Sequence, residues 1–236
     1  MKRLLQLLPF LAGWLVLLAS TGLHTLSWVN GALQMALFLF VVCIPTWRTE
    51  RMSYVDIGWP WGLVVIGAVG YLLGDGDPVR SALVAGLYAF MGGRMGFFAL
   101  KLWRAGVLER EFPRYQYRAM RWRRAGETNL ALARQVEVLA QGLANASYLA
   151  IPAFVIVTNP EPTLSAIELL GFAIAVASFA LESLADAQKA RFLVACKKAG
   201  ERNPVCDVGL WRYSRHPNYF FEWMVWNGLI VMALPS

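Results

Sequence analysis

A chain of 236 residues that is 58% apolar and 16% charged lies well above the roughly 45–50% apolar content of a soluble domain, which excludes a water-soluble globule and identifies a membrane protein. The formal net charge of +7 points to basic loops gathered at one membrane face, with attraction to anionic lipids as a secondary effect, and not to nucleic acid. A single integral-membrane domain over residues 1–236 is expected, all-α and polytopic.

Apolar runs close to the ~20 residues that cross a hydrocarbon core as a helix fall at 4–21, 28–46, 58–73, 79–103, 137–158, 164–185 and 219–235. This predicts a transmembrane helical bundle of about seven spans; the third run is short and glycine-rich, so six is the alternative count. None of the runs alternates with period two, which argues against membrane strands. The opening MKRLLQLLPFLAGWLVLLAST has the outline of a signal peptide, but its apolar core is long and more spans follow at once, so it reads as an uncleaved first helix.

Basic residues orient the bundle. With the N-terminus in the cytoplasm, 20 of the 22 Lys and Arg fall in cytoplasmic segments, above all in the loops 104–136 and 186–217. Only Arg80 lies on the other side and only Arg94 within a span, while Asp75, Asp77 and Glu161 occupy the opposite connections, as the positive-inside rule expects. The loop EREFPRYQYRAMRWRRAGE interleaves arginine with aromatics. RNA binders do the same, but beside a membrane this reads as an interfacial basic-aromatic belt, or as a cover over a bound anionic ligand.

The three cysteines, Cys43, Cys196 and Cys206, have no CxxC pair. They form no disulfide framework, and Cys196, Cys206 and His216 lack the fourth ligand and the spacing of a zinc site, so no metal is expected. Ionisable groups in or beside the spans carry more weight. Glu182, Asp186 and Lys189 share one face of the sixth helix near its expected cytoplasmic end: either a self-contained ion-pair stripe or half of a site. In GLWRYSRHPNYFFEW, Pro217 suits a helix start, with His216 near the cap and Arg212 and Arg215 just before it, an arrangement that holds phosphate. Asn218, Glu222 and Trp226 follow every four residues on one face; they are interhelical glue or ligand contacts.

LWRYSRHPNYFFEW, with LESLADAQKARF, SYVDIGWPWG and FPRYQYRAM, resembles the bacterial DUF1295-type membrane protein family, related to steroid 5-alpha-reductases, from about residue 53 to the end. The resemblance implies an NADPH-dependent oxidoreductase of the bacterial inner membrane that reduces a carbon–carbon double bond in a lipidic, steroid- or isoprenoid-like substrate. It implies cofactor contacts at Asp186, Arg191, Tyr213, Arg215, His216, Asn218, Tyr219 and Glu222, to which the helix-end and stripe readings add Arg212 and Lys189. Carried over from the steroid reductases, the catalytic positions are Asp56 and Arg94. The tyrosine expected just before that arginine is replaced by Met91, which leaves Tyr88, Tyr54 or Asp56 to stand in for it. The family is expected to continue past residue 236 with a further apolar segment and a basic tail. No GxGxxG follows a strand, so a Rossmann site is excluded. The wider superfamily includes isoprenylcysteine and phospholipid methyltransferases, whose similar Arg-His-Pro-x-Tyr element contacts S-adenosylmethionine; that activity and a non-catalytic scaffold are the alternatives.

Overall fold

The computed structural model describes residues 3–201 and 204–236; Lys2 and Arg202, counted in the charge partition, lie outside the described residues. The described residues form helices and no strand. They divide into two compact units, Met1–Pro162 and Thr163–Ser236.

In the first unit a 3-10 turn, Leu4–Leu7, leads into α1 (Leu8–Ala19). Next, α2 (His24–Phe38), a π turn (Leu39–Cys43) and α3 (Ile44–Thr49) make one continuous helix. Then come α4 (Val55–Leu73), α5 (Pro78–Arg104), α6 (Pro113–Arg124), α7 (Leu130–Ala146) and α8 (Ile151–Val157). The sequence supplies the starts: Pro78 and Pro113 each occupy the first helical position, and Asp77 caps α5 by accepting from the N–H groups of Val79 and Arg80 at 3.0 and 3.1 Å, an arrangement that satisfies otherwise orphaned donors.

Glycines let α4 and α5 approach closely. A Cβ at Gly92 would stand 2.3 Å from the Pro60 carbonyl oxygen, and one at Gly67 2.9 Å from the Tyr88 Cβ. Polar groups do the rest where no water is at hand. Asn30, Gln34 and Asn145 are fully buried. Asn30 Nδ2 donates to the Asn145 carbonyl (3.1 Å), Gln34 Nε2 to the Gly62 carbonyl (2.8 Å) and Asn145 Nδ2 to the Trp59 carbonyl (3.1 Å), tying α2, α4 and α7 together. The π turn shifts the ladder of its helix, and Gln135 Nε2 donates to the Cys43 carbonyl at 3.1 Å. Between α7 and α8 the chain breaks at Ser147 (φ −119, ψ −99), and the buried Tyr88 hydroxyl donates to the Leu149 carbonyl at 2.6 Å, as backbone exposed at membrane depth requires.

Charge is sorted between the two ends of this unit. Arg3 pairs with Glu127, Arg134 with Glu50 (3.0 Å), and Arg51 donates to the Leu108 carbonyl (2.7 Å) at one end. At the other, Arg80, 1% exposed, donates to the Glu161 carbonyl beside Asp77.

In the second unit, α9 (Ala166–Ala199) and α10 (Pro217–Ala233) pack antiparallel, joined by a connection that holds the 3-10 turn Gly209–Arg212. Ser165 and Glu168 close a capping box at the start of α9. Small residues set the crossing: a Cβ at Gly171 would lie 2.3 Å from the Met232 nitrogen, and one at Gly228 2.6 Å from the Ala175 nitrogen.

The expected apolar stretches are mainly helical, the one at 137–158 in two pieces, α7 and α8. Among the described residues, five helical segments are long and apolar enough to cross a membrane: His24–Thr49, Val55–Leu73, Pro78–Arg104, Leu130–Val157 and Ala166–Ala199. The stretch Leu4–Ala19 and the 17-residue α10 are shorter apolar helices. The protein is therefore an all-α, multi-pass membrane protein. Several expected boundaries move. The sixth helix runs on from residue 185 to Ala199 because ADAQKARFLVACKKA contains strong helix formers until Gly200, which ends it at φ 73. The fifth begins at Leu130, where Asn129 accepts from the Leu132 N–H at 2.9 Å, and the loop after α5 contains a helix of its own, α6.

Candidate functional sites

The polar residues of the second unit converge on the first turn of α10. His216 is its N-cap without a side-chain capping bond, and the first intrahelical bond runs from Phe220 N–H to the His216 carbonyl (3.1 Å). The Asn218 and Tyr219 N–H groups therefore have no intrahelical acceptor. Asn218 Nδ2 donates to Asp186 Oδ1 of α9 at 3.2 Å, while Asn218 Oδ1 is buried with no hydrogen-bond partner among the described residues. The His216 and Tyr219 rings stack at 5.2 Å with planes 10° apart, and Tyr219 is exposed. One turn further along their helices lie Glu222 on α10 and Glu182 on α9; Glu182 is buried.

The turn before α10 is anchored on α9. Trp211 donates from Nε1 to the Ala185 carbonyl at 2.8 Å, the Leu210 N–H donates to Gln188 Oε1 at 2.9 Å, and Lys189 Nζ lies 4.5 Å from the centre of the Trp211 ring. Gly209, at φ 56, brings the backbone against the Gln188 side chain. These contacts leave Arg212, Tyr213 and Arg215 exposed just before the helix start, and Arg191 exposed on α9. Of the expected cofactor contacts, the structure joins Asp186 to Asn218 and His216 to Tyr219 directly, and gives Lys189 a place on Trp211. Gln188 and Trp211, not among the expected site residues, are what hold the loop; both sit inside the quoted motifs, as an amide three residues after the buried Ala185 and a lone tryptophan in a basic loop.

A second polar cluster stands at the arginine-rich end of the first unit. Asp56, in the first turn of α4, pairs through Oδ1 with Arg114 of α6, and its Oδ2 is buried without a hydrogen-bond partner among the described residues. Glu111 clasps the same helix start: it accepts from the Met52 N–H (2.6 Å), the Ser53 hydroxyl and its neighbour's Phe112 N–H (3.0 Å). Arg114 also lies over the Phe112 and Tyr115 rings at 5.4 and 4.8 Å. Burial, with the Asp56 charge adding to it, pushes the Tyr115 phenol up to about 12 against the opposing pull of Arg114. Glu111, Arg114 and Ser53 were not among the expected site residues; an acid and a proline framed by arginines was the signal.

The other expected catalytic residues lie elsewhere in this unit. Tyr88 packs beside Gly67, eleven residues and thus about 16 Å along α4 from Asp56, and its hydroxyl serves the helix break. Arg94 is half-buried with its Nε out of solvent.

The second cluster therefore offers a clamped carboxylate with one open oxygen. The first offers what a dinucleotide requires: free backbone N–H groups and guanidinium groups for phosphate, a stacked ring pair, and a buried amide oxygen lacking a donor, which suits a carboxamide N–H. The residues present fit such a cofactor. Neither a curated protein nor a solved structure matches the chain. The model of one family matches residues 39–236, from the π turn through both polar clusters, and the chain belongs to that family, described as Protein of unknown function (DUF1295).

Proposed function

We propose that the protein is a membrane-embedded, NADPH-dependent reductase of a carbon–carbon double bond in a lipidic, steroid- or isoprenoid-like substrate, working in a bacterial inner membrane. The observation that carries this reading is the Asn218–Asp186 pair at the open start of α10, with the Asn218 Oδ1 still lacking a donor. When bound, the nicotinamide cofactor supplies a hydride. The chain's own part begins with Arg212 and Arg215, which neutralise phosphate together with the Asn218 and Tyr219 N–H groups. Asp186 fixes the Asn218 amide so that its oxygen accepts from a carboxamide, and Glu222 accepts from a hydroxyl or amide one turn further in. The Lys189–Trp211–Gln188 contacts keep this loop shaped for the ligand. In the first unit, Asp56 is the group that holds a proton at its open Oδ2, and Arg94 the cation that stabilises developing negative charge; Tyr54, which accepts from Arg51 Nη2 at 3.4 Å, is the phenol that stands in for the tyrosine replaced by Met91, because the Tyr88 hydroxyl is taken up by the Leu149 carbonyl.

The test is ligand-induced stabilisation of the detergent-solubilised protein. NADPH at a hundredfold excess over its Kd should raise stability by about 2.7 kcal/mol, S-adenosylmethionine should not, and Arg215→Ala should weaken NADPH more than NADH. Stabilisation by S-adenosylmethionine alone would assign a methyltransferase, and indifference to both a non-catalytic scaffold.

A further inference from the structure

The helix α6 has no buried residue, and its twelve residues, PRYQYRAMRWRR, include five arginines and no acid. Its two sides do different things. Tyr115 and Trp122 pack against the core cluster of Phe38, Val42, Met52, Val55 and Val138. At 3.6 residues per turn, Tyr117, Arg121 and Arg124 then form a row at i, i+4 and i+7 on the side turned away from that cluster. Tyr117 is 58% exposed, and Arg121 and Arg124 are exposed.

Four acids at this end of the unit are already engaged. Asp56 holds Arg114, Glu137 holds Arg118, Glu127 holds Arg3 and Glu50 holds Arg134. The side chains of Arg121 and Arg124 take part in no ion pair or hydrogen bond among the described residues. The helix also cannot leave the surface of the bundle. It follows the membrane-crossing α5 after the connection 105–112 and precedes α7 by the five residues 125–129, a tether of about 20 Å at full stretch.

We infer that α6 is a binding surface for anionic phospholipid. Arg121 and Arg124, one turn apart, bracket a phosphodiester headgroup of the adjoining leaflet, and Tyr117 lies at headgroup depth between water and acyl chains. Guanidinium groups favour phosphate through paired, charge-assisted hydrogen bonds, and aromatic residues favour the interface. The commitment to lipid over a free anion follows from the tether, which keeps the row at the membrane surface, and from the exposed tyrosine, which a soluble anion does not need. This surface shares no residue with the nucleotide site proposed on α10.

The experiment uses the full chain, purified and reconstituted into nanodiscs of phosphatidylcholine with or without phosphatidylglycerol, with retained phosphatidylglycerol counted by native mass spectrometry. R121Q/R124Q should lower retention about 25-fold, the product of two basic groups worth about fivefold each near an anionic surface; R121K/R124K should recover much of it. K197Q/K198Q removes the same charge from α9 and should leave retention unchanged. Thermal unfolding in phosphatidylcholine alone should be the same for all variants; if R121Q/R124Q unfolds there, the lysine variant with Tyr117→Ser decides, by losing retention. Equal losses in the α6 and α9 variants would reduce the effect to bulk charge and overturn the proposal. Displacement of the lipid by millimolar inorganic phosphate would overturn it too, because the row would then be a free-anion site.

Discussion

Asn218 and Asp186 join α10 to α9 through one amide–carboxylate hydrogen bond of 3.2 Å, which fixes which way the asparagine oxygen faces. Asp186→Ala should release the amide and lower NADPH affinity, while Asn218→Leu should lower it further by removing the acceptor as well. Hydrogen bonds to charged groups are worth about 1.5–3 kcal/mol, so a loss of roughly tenfold to a hundredfold in Kd is expected by isothermal titration. If both variants only lower the unfolding temperature and leave Kd alone, the pair is interhelical glue.

Glu111 is the acceptor for two backbone N–H groups and the Ser53 hydroxyl. Glu111→Ala leaves the Met52 N–H and the Ser53 hydroxyl without this acceptor at about 1–3 kcal/mol each where they are buried, while the Phe112 N–H keeps Ser53 Oγ at 3.2 Å. The expected result is a loss of about 3 kcal/mol in denaturant unfolding and faster proteolysis between residues 105 and 125, whereas Glu111→Gln, which keeps one acceptor oxygen, should lose less than half as much.

Two glycines should respond in opposite ways. Gly228→Val drives a side chain into Ala175, whose nitrogen lies 2.6 Å from the Cβ position, and should destabilise by about 1–3 kcal/mol as overpacked sites do. Gly86 in α5 has nothing within 4 Å of its Cβ position; Gly86→Ala should be neutral or stabilise by up to about 1 kcal/mol through helix propensity. Thermal unfolding of the two variants in one detergent compares them directly.

Tyr115 carries a pH dependence. Its folded-state pKa lies at about 12, above the ~10 of a free phenol, so folding favours the protonated ring. That contribution is present in full below pH ~10 and is lost as pH rises through about 12. Denaturation curves should therefore weaken over that alkaline window, and Tyr115→Phe should flatten the dependence.

The arginine-rich end of the first unit should face the cytoplasm. Single cysteines introduced at positions 105 or 125 of a cysteine-free variant should resist a membrane-impermeant thiol reagent in intact cells, and one at position 75 should react. The reverse pattern would invert the topology.

Much of this architecture was legible because hydrocarbon is a severe solvent: apolar runs and the arginine partition between loops follow directly from it. What the sequence concealed is local and polar. The extension of α9 to Ala199 was hidden because its helix formers are charged, and α6 because arginine and tyrosine read equally well as an irregular belt. The break at Ser147 is announced only by Pro152, at the second residue of α8, inside a run that otherwise reads as one span. In the candidate sites, Asp186 and Asn218 stood out by type and spacing, whereas the partnership of Asp56 with Arg114 joins residues 58 positions apart, a pairing that no local pattern encodes. Tyr88 shows the converse: its nearness to Arg94 in sequence said nothing of the carbonyl it serves across the bundle.

The 34 residues of α9 rise about 51 Å, against a hydrocarbon core of about 30 Å, so the helix serves as a depth gauge. Counted from Ala166, lipid ends after about twenty residues, where Asp186 and Gln188 begin. On the reading proposed above, a charged dinucleotide would dock against Asn218 on the water side of that limit, with Glu182 and Glu222 one turn nearer the lipid.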